Sequence, residues 1–180
     1  MFNRRNALIA ALLSACAGLL SSCGVWQAVS DTSSSAFHAV FFKKVKVLNL
    51  DLVSRAGLNP DDAGRATSVV VRVYQLKDRQ SFDHASYDDL LKKDQTALAQ
   101  DKLADMATVV NPGASASLSQ PMQDATKYVA VVAFYRDPGT GNSWKYVIAK
   151  NKLTADRPLR LELLDNGVQA AGAGQEKSRK

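Results

Sequence analysis

Short β-branched runs, separated by turn-forming residues, constrain the fold of this chain more than any other feature of its sequence. The runs over residues 69–76 and 128–135 are almost continuously apolar, which is typical of strands covered on both faces. Residues 48–52 and 159–163 alternate leucine with polar residues, which is the period of a half-buried strand. The sequence therefore predicts a mainly all-β domain over residues 39–170. Its expected form is a two-sheet antiparallel β-sandwich of roughly seven or eight strands with one or two short helices.

One helix is predicted directly after Ser86, which is a suitable N-cap. Acidic residues 88–89 lie in its first turn and basic residues 92–93 in its last, which matches the helix dipole in sign. The following stretch, residues 98–110, fits either a helix or a strand. We expect a strand only over residues 106–110.

Two positions interrupt the strand patterns. Arg72 is the charged residue within the apolar run 69–76, and we expect its guanidinium to be exposed or to face a sheet edge. Val45 and Val47 would lie on the opposite face of a strand from Leu48, Leu50 and Leu52. One regular strand cannot bury both the valines and the leucines in the same core. We therefore expect a bulge or a break near Val47 and Leu48.

The first residues of the chain predict an export signal. Arg4 and Arg5 precede an apolar and small-residue run over 7–20, which is shorter than the ~20 residues of a membrane-spanning helix. The ending Leu-Ser-Ser-Cys resembles the lipobox of bacterial lipoproteins, in which the cysteine is lipidated and the chain is cut just before it. Cys23 is therefore the predicted lipidation site. A second box ending at Cys16, or two buried cysteines in an N-terminal helix, are the alternatives.

These features predict the organisation of the chain. We expect a signal peptide over residues 1–22, the lipidated cysteine and a flexible tether over 23–38, and a disordered basic tail over 171–180. An N-acyl diacylglyceryl cysteine carries several acyl chains, such as palmitate, and two chains already anchor a protein stably. Residue 24 is glycine and not the aspartate that retains enterobacterial lipoproteins at the inner membrane. The expected location is therefore the periplasmic face of the outer membrane.

The residues that usually carry chemistry do not converge in this sequence. Its 2 cysteines and 2 histidines are too few for a disulfide scaffold or a multi-cysteine metal site. His38 and His84 are far apart, and the neighbouring carboxylates at 61–62 and 88–89 should diverge. Neither a phosphate-binding glycine loop nor a nucleophile elbow is present. We predict no enzyme activity, no cofactor and no metal. The formal net charge of +6 is too mild to indicate nucleic-acid binding.

Residues 55–65 form a long connection between two strands of the predicted core. The segment presents one apolar side chain, Leu58, among turn formers and arginines. A preorganised loop on a rigid sandwich is a common recognition device, and a plain connector is the alternative. The candidate partner-binding residues are Arg55, Gly57, Leu58, Asn59, Pro60, Asp61, Asp62, Gly64 and Arg65.

The sequence Leu-Asn-Pro-Asp-Asp-Ala-Gly-Arg at 58–65, with Val-Val-Val-Arg-Val-Tyr-Gln-Leu at 69–76, resembles the signature of one family. This is the type VI secretion outer-membrane lipoprotein of the TssJ (VasD) type. The resemblance extends over residues 45–164 and includes the Asn-Pro-Gly turn at 111–113 and Trp144.

The resemblance implies a transthyretin-like sandwich with a non-enzymatic role. Family members bind the periplasmic C-terminal region of a large IcmF-like (TssM) inner-membrane protein within the type VI membrane complex, together with its other subunits. The loop between the first two core strands is a main contact, which corresponds here to residues 55–65. We expect Leu58 to bury apolar surface against the partner, Asn59 and the two aspartates to hydrogen-bond, and Pro60 to add rigidity.

Two other functions are weaker alternatives. One is an outer-membrane lipoprotein that binds a small ligand or an envelope polymer on the sandwich face. The other, a transthyretin-like hydrolase, is the weakest because the histidine cluster that such enzymes need is missing.

Overall fold

The computed structural model describes residues 44–139 and 141–172. Within these residues the chain forms eight strands and three short α-helices, with a 3-10 turn at Lys150–Lys152. The strands are β1 Val47–Ser54, β2 Val69–Leu76, β3 Lys102–Val110, β4 Ser115–Pro121, β5 Tyr128–Phe134, β6 Lys145–Ala149, β7 Leu159–Leu163 and β8 Val168–Ala170. The helices are α1 Gln80–His84, α2 Tyr87–Lys92 and α3 Asp94–Ala97.

The strands form two four-stranded sheets, which confirms the predicted mainly-β, two-sheet sandwich. Sheet A has the order β4-β1-β7-β8, and sheet B has the order β3-β2-β5-β6. Neighbouring strands are antiparallel except for β1 and β7, which are parallel. Strand β7 joins sheet A beside β1 after the chain has formed β5 and β6 of sheet B.

The core lies between the two sheets. Leu48 is 1% exposed and Leu50 and Leu52 are 0% exposed, so the predicted alternation of β1 is present. Val45 is buried just before β1 begins, whereas Val47 is 43% exposed. The pattern of burial therefore changes phase between Val45 and Val47, before β1 begins. The β1–β4 register is regular from Val47 onward, so the bulge expected at Val47 and Leu48 does not form.

The predicted N-cap at Ser86 is present. Its hydroxyl accepts from the Asp89 backbone N–H at 3.1 Å, and the Asp89 carboxylate accepts from the Ser86 N–H at 3.3 Å. This reciprocal pair is a capping box. The helices α1 and α3 were not predicted. They have 5 and 4 residues, too few to produce a periodic pattern.

The helices pack on the outer face of sheet B. Arg72 of β2 binds two of them, α2 and α3. Its Nη1 atom donates to the Leu90 carbonyl at 3.0 Å and lies 3.5 Å from the Asp94 carboxylate. The guanidinium also lies 5.1 Å from the centre of the Phe134 ring. The expectation of an exposed or edge-facing Arg72 was therefore wrong, because β2 lies between β3 and β5 and the helices cover its outer face at Arg72.

Strand β3 begins at Lys102, earlier than the predicted start at residue 106. The register between β2 and β3 shifts between Gln75 and Leu76, which hides the alternation in the first part of β3. Among the residues that the structure describes, no helix has the length and apolar character to cross a membrane.

The signal peptide over 1–22, the lipidated cysteine, its tether and His38 lie outside the described residues. The same is true of Cys16 and of the tail beyond residue 172. The predictions for these segments, and the domain boundaries drawn from them, stay predictions.

Candidate functional site

The connection between β1 and β2 crosses from sheet A to sheet B at one end of the sandwich. It is not a hairpin, which explains its length. Three backbone hydrogen bonds hold it to the end of β7 and to two turns: Arg55 N–H to Leu163 O at 3.0 Å, Gly113 N–H to Arg55 O at 3.1 Å, and Asn59 N–H to Asp165 O at 2.8 Å. The loop is therefore bound to the β3–β4 and β7–β8 turns.

Asn59 is the central support of the loop. It has a φ of 48°, a left-handed conformation that asparagine tolerates better than most residues. Its side-chain amide donates to Thr67 Oγ1 at 2.9 Å and to the Ser68 carbonyl at 2.8 Å. Its Oδ1 atom accepts from the backbone N–H of Arg136 at 2.7 Å. Because the residue is only 5% exposed, these bonds are shielded from water.

Leu58 is 0% exposed and belongs to the hydrophobic core. We expected Leu58 to bury apolar surface against a partner and Asn59 to offer hydrogen bonds. In the structure both side chains point into the protein, and the Asn59 amide already has its partners. Leu58 and Asn59 therefore attach the loop to the body of the domain.

The tip of the loop is a small turn that Asp61 closes. Its Oδ1 atom accepts from the backbone N–H groups of Ala63 at 3.0 Å and Arg65 at 2.9 Å. Its Oδ2 atom accepts from Arg65 Nε at 2.9 Å. The Arg65 backbone N–H, and then its side chain, hold the pKa of the Asp61 carboxyl below its usual range. Gly64 has a φ of 74°, which completes the turn with little strain.

The exposed surface of the loop has two parts. The tip comprises Pro60, Asp62, Ala63, Gly64 and Arg65. Asp62 is fully exposed, and its carboxylate lies 3.7 Å from the Arg136 guanidinium.

The second exposed part lies at the base of the loop. Arg55 Nε donates to Glu162 Oε1 at 2.9 Å, and this bond is the main cause of the lowered pKa of Glu162. Gly57 lies beside Asp165, since a Cβ at this glycine would come within 3.1 Å of the Asp165 Oδ1 atom. A side chain at this position would therefore have to displace the Asp165 carboxylate by a few tenths of an ångström.

Residues from distant parts of the sequence complete this end of the sandwich. A cleft of about 190 Å³ lies beside the loop and is lined by Asn59, Pro60, Asp137, Asp165 and Asn166. We did not single out Arg136, Asp137 or Asp165 as site residues, because their proximity to the loop depends on tertiary packing. The only local signal was the turn-forming character of residues 137–142 and 165–167.

Each of three strands has an exposed valine next to its terminal residue at this end of the sandwich. Val53 in β1 is 46% exposed, Val70 in β2 is 41% exposed, and Val109 in β3 is 60% exposed. Val70 and Val109 are cross-strand neighbours. The loop tip therefore lies at an end of the domain that offers both charged and apolar contact surface.

The neighbouring carboxylates Asp88 and Asp89 both stabilise helix α2. The Asp88 carboxylate lies 3.0 Å from Lys92 Nζ, and Asp89 caps its helix. Among the described residues, no group of three or more histidine, cysteine or acidic side chains is arranged to hold a metal ion.

Comparison with protein families gives a match to the profile described as "Type VI secretion lipoprotein, VasD, EvfM, TssJ, VC_A0113", which covers residues 46–166. None of the curated proteins compared with the chain matches it.

Three similar chains come from solved structures. A chain in the structure described as "Type VI membrane complex" is 37% identical, with a TM-score of 0.67; the match covers 70% of this chain and 98% of that chain. A chain in "T6SS protein TssM C-terminal domain (869-1107) from EAEC" is 34% identical, with a TM-score of 0.65 and coverage of 72% and 100%. The type VI lipoprotein TssJ1 from Pseudomonas aeruginosa is 25% identical, with a TM-score of 0.58 and coverage of 72% and 98%.

Proposed function

We propose that this chain, which belongs to the type VI secretion lipoprotein family of TssJ and VasD, binds the periplasmic C-terminal region of an IcmF-like (TssM) inner-membrane protein. The family comprises structural lipoproteins of the type VI membrane complex and is not a known enzyme family. By binding that region, the lipoprotein would attach the type VI membrane complex to the outer membrane.

The observation that carries the proposal is the rigid support of the β1–β2 loop. Asn59 binds this loop to the chain that leaves β5, and Asp61 closes the tip on itself. A loop that is already ordered loses little conformational entropy when it binds, so more of its contact energy becomes affinity. A plain connector would not need a buried, fully bonded residue with positive φ at its centre.

We assign the direct contacts to the exposed part of the loop. Pro60, Asp62 and Arg65 are exposed at the tip, and Arg55 is exposed at the base. The carboxylate and guanidinium groups supply charged hydrogen bonds, and the nearby exposed Val109 supplies apolar area. Leu58 and Asn59 contribute by positioning these groups.

The membrane attachment in this proposal rests on the sequence of the N-terminus. Lipidation of Cys23, followed by Gly24, would place the sandwich on the periplasmic face of the outer membrane. Several acyl chains on one cysteine would make detachment negligible.

A paired-variant binding experiment tests the proposed contact. The full-length lipoprotein in detergent is titrated with the periplasmic C-terminal region of the IcmF-like protein from the same bacterium. Replacing Asp62 and Arg65 together with alanine should weaken binding about tenfold or more, equivalent to about 1.4 kcal/mol.

The matched control removes an exposed ion pair at the other end of β1. Lys44 Nζ lies 3.3 Å from the Asp124 carboxylate, and both side chains are exposed. Replacing Lys44 and Asp124 with alanine removes one positive and one negative charge, as the tip variant does, and should leave the affinity unchanged. Equal affinities of the wild type and the tip variant would refute the assignment of the loop.

A further inference from the structure

We propose that the free edge of β4 is a self-association surface, where a second copy of this chain adds its own β4 in antiparallel orientation. The two copies of sheet A would then form one continuous sheet. This surface lies on the flank of the sandwich and does not include the exposed tip of the β1–β2 loop.

The hydrogen-bond register shows which backbone groups of β4 are free. Ser54 N–H donates to Ala114 O at 2.9 Å, and Met122 N–H donates to Lys46 O at 2.9 Å, at the two ends of the β1–β4 ladder. Paired residues alternate between bonded and non-bonded in an antiparallel ladder. The even-numbered residues of β4 therefore bond to β1. The N–H and C=O groups of Ser115, Ser117 and Ser119 point to the outer edge, where residues 44–139 and 141–172 add no further strand to sheet A.

This edge lacks the features that usually prevent strand addition. Strand β4 contains no charged residue, its register with β1 is regular, and its proline is its last residue, Pro121. The hydroxyls of Ser117 and Ser119 are bonded to Asp51 at 2.8 Å and Asn49 at 2.9 Å, so they lie over β1.

The other edge strands of the described sandwich are less suitable. Strand β3 has Lys102 and Asp105, β6 begins with Lys145, and β8 has 3 residues. An incoming strand would meet a charge on β3 or β6 and too few backbone groups on β8. Among the edge strands that the structure describes, β4 is therefore the most suitable for the addition of another strand.

The sequence of β4 fits a second copy of itself. In an antiparallel pair centred on Ser117, each Ser115 lies opposite the partner's Ser119, and each Ala116 lies opposite the partner's Leu118. The small serine side chains can face one another without a steric clash, and a small residue opposite a leucine leaves room for it. No like charges meet, and the pairing is isologous, so it closes at two copies.

The proposed lipid anchor would favour this pairing, and this step alone rests on the proposed function. Copies held in one membrane plane have a high effective concentration, which strengthens a contact of modest area. The backbone geometry of β4 does not depend on the anchor.

Two variants of Ser117 test the proposal. Ser117→Pro removes the outward N–H, which β1 does not use, so an edge strand should tolerate it. Ser117→Ala keeps this N–H and is the matched control. In sedimentation velocity of the full chain in detergent, the wild type and Ser117→Ala should form dimers and Ser117→Pro should be monomeric. A monomeric wild type at the highest concentration, or an undiminished dimer of Ser117→Pro, would overturn the proposal.

Disulfide trapping in membranes tests the β4–β4 pairing even if Ser117→Pro does not fold. Two Ser117 Cα atoms at the centre of the pair would lie about 5.5 Å apart, within the disulfide range of up to ~7 Å. Ser117→Cys should therefore give an oxidant-dependent dimer above the wild-type background. Val53→Cys is exposed on the same face but one strand further in, where the two copies would be at least about 14 Å apart. Equal trapping at both positions, or none at Ser117→Cys, contradicts the pairing.

Partner binding separates this proposal from the proposed function. Ser117→Pro should lose the dimer and keep its affinity for the IcmF-like region, whereas the tip variant should do the reverse. A dimer that depends on β4, found in a protein that does not bind that region, would overturn the proposed function only.

Discussion

Asn59 accepts a hydrogen bond of 2.7 Å from the backbone N–H of Arg136, a residue 77 positions away in sequence. This bond joins the loop after β1, in sheet A, to the chain that leaves β5, in sheet B. Since Asn59 also has a φ of 48°, one residue combines an unusual backbone conformation with a buried tertiary contact. The shape of the loop therefore depends strongly on this side chain.

Replacing Asn59 with alanine should lower the free energy of unfolding by about 3 kcal/mol, because buried groups lose their partners and alanine disfavours positive φ. Asn59→Gly loses the same hydrogen bonds without the backbone strain, so it should be about 1 kcal/mol more stable than Asn59→Ala. Urea unfolding of the three proteins measures both differences. Equal stability of the alanine and glycine variants would show that the positive φ carries no cost.

Leu58 should matter for stability more than for direct contact with a partner. Its side chain is 0% exposed, so Leu58→Ala leaves a cavity and should cost about 3 kcal/mol. Under conditions in which the variant is folded, its affinity for the IcmF-like region should fall less than that of the Asp62 and Arg65 double variant. Urea unfolding and titration calorimetry give the two quantities. A normal stability combined with lost binding would restore the direct-contact role that we first expected.

The turn closed by Asp61 should weaken in acid. Its pKa is lowered in the folded protein by the Arg65 N–H and side chain. A carboxyl with a lowered pKa stabilises the fold above its unfolded pKa, near ~3.9, and this contribution is lost as the pH falls through the folded pKa. Wild type should therefore be more stable than Asp61→Asn at pH 7, and the difference should shrink below about pH 4.

Urea unfolding of wild type and Asp61→Asn across this pH range measures that difference. Asp89 and Glu162 also have lowered pKa values, but both are present in the two proteins and their effects cancel. A difference that is independent of pH would contradict the assigned ionisation of Asp61.

Cys23→Ser should release the protein from membranes into the soluble periplasmic fraction, because the predicted acyl chains would be absent. Cell fractionation and incorporation of labelled palmitate measure the two effects. Cys16→Ser is the control and should leave both unchanged. Release by Cys16→Ser instead would move the lipidation site to the alternative box.

Local patterns were sufficient to predict much of the fold. The leucine alternation of β1, the apolar runs of β2 and β5 and the N-cap at Ser86 all depend on neighbours within a few residues. Short-range periodicity reports which side of a strand is buried, and a cap forms within one helical turn. The resemblance around residues 58–76 identified the family, which the matching profile confirms.

The positions of Arg72, Leu58 and Asn59 could not be predicted in the same way. Arg72 is covered because α2 and α3 pack on the outer face of β2, a contact that no local pattern shows. Leu58 is buried because its loop crosses between the two sheets. Asn59 meets Arg136 and Asp165 only after both sheets are assembled.

The sequence by itself determined the strands, the sandwich class and the segment that carries the candidate site. Tertiary structure alone decided which residues of that segment are exposed and which are buried and attach it to the domain. The physical reason is that strand periodicity is a local property of the chain. The burial of a loop residue depends on contacts between segments that are far apart in sequence, such as Asn59 with Arg136.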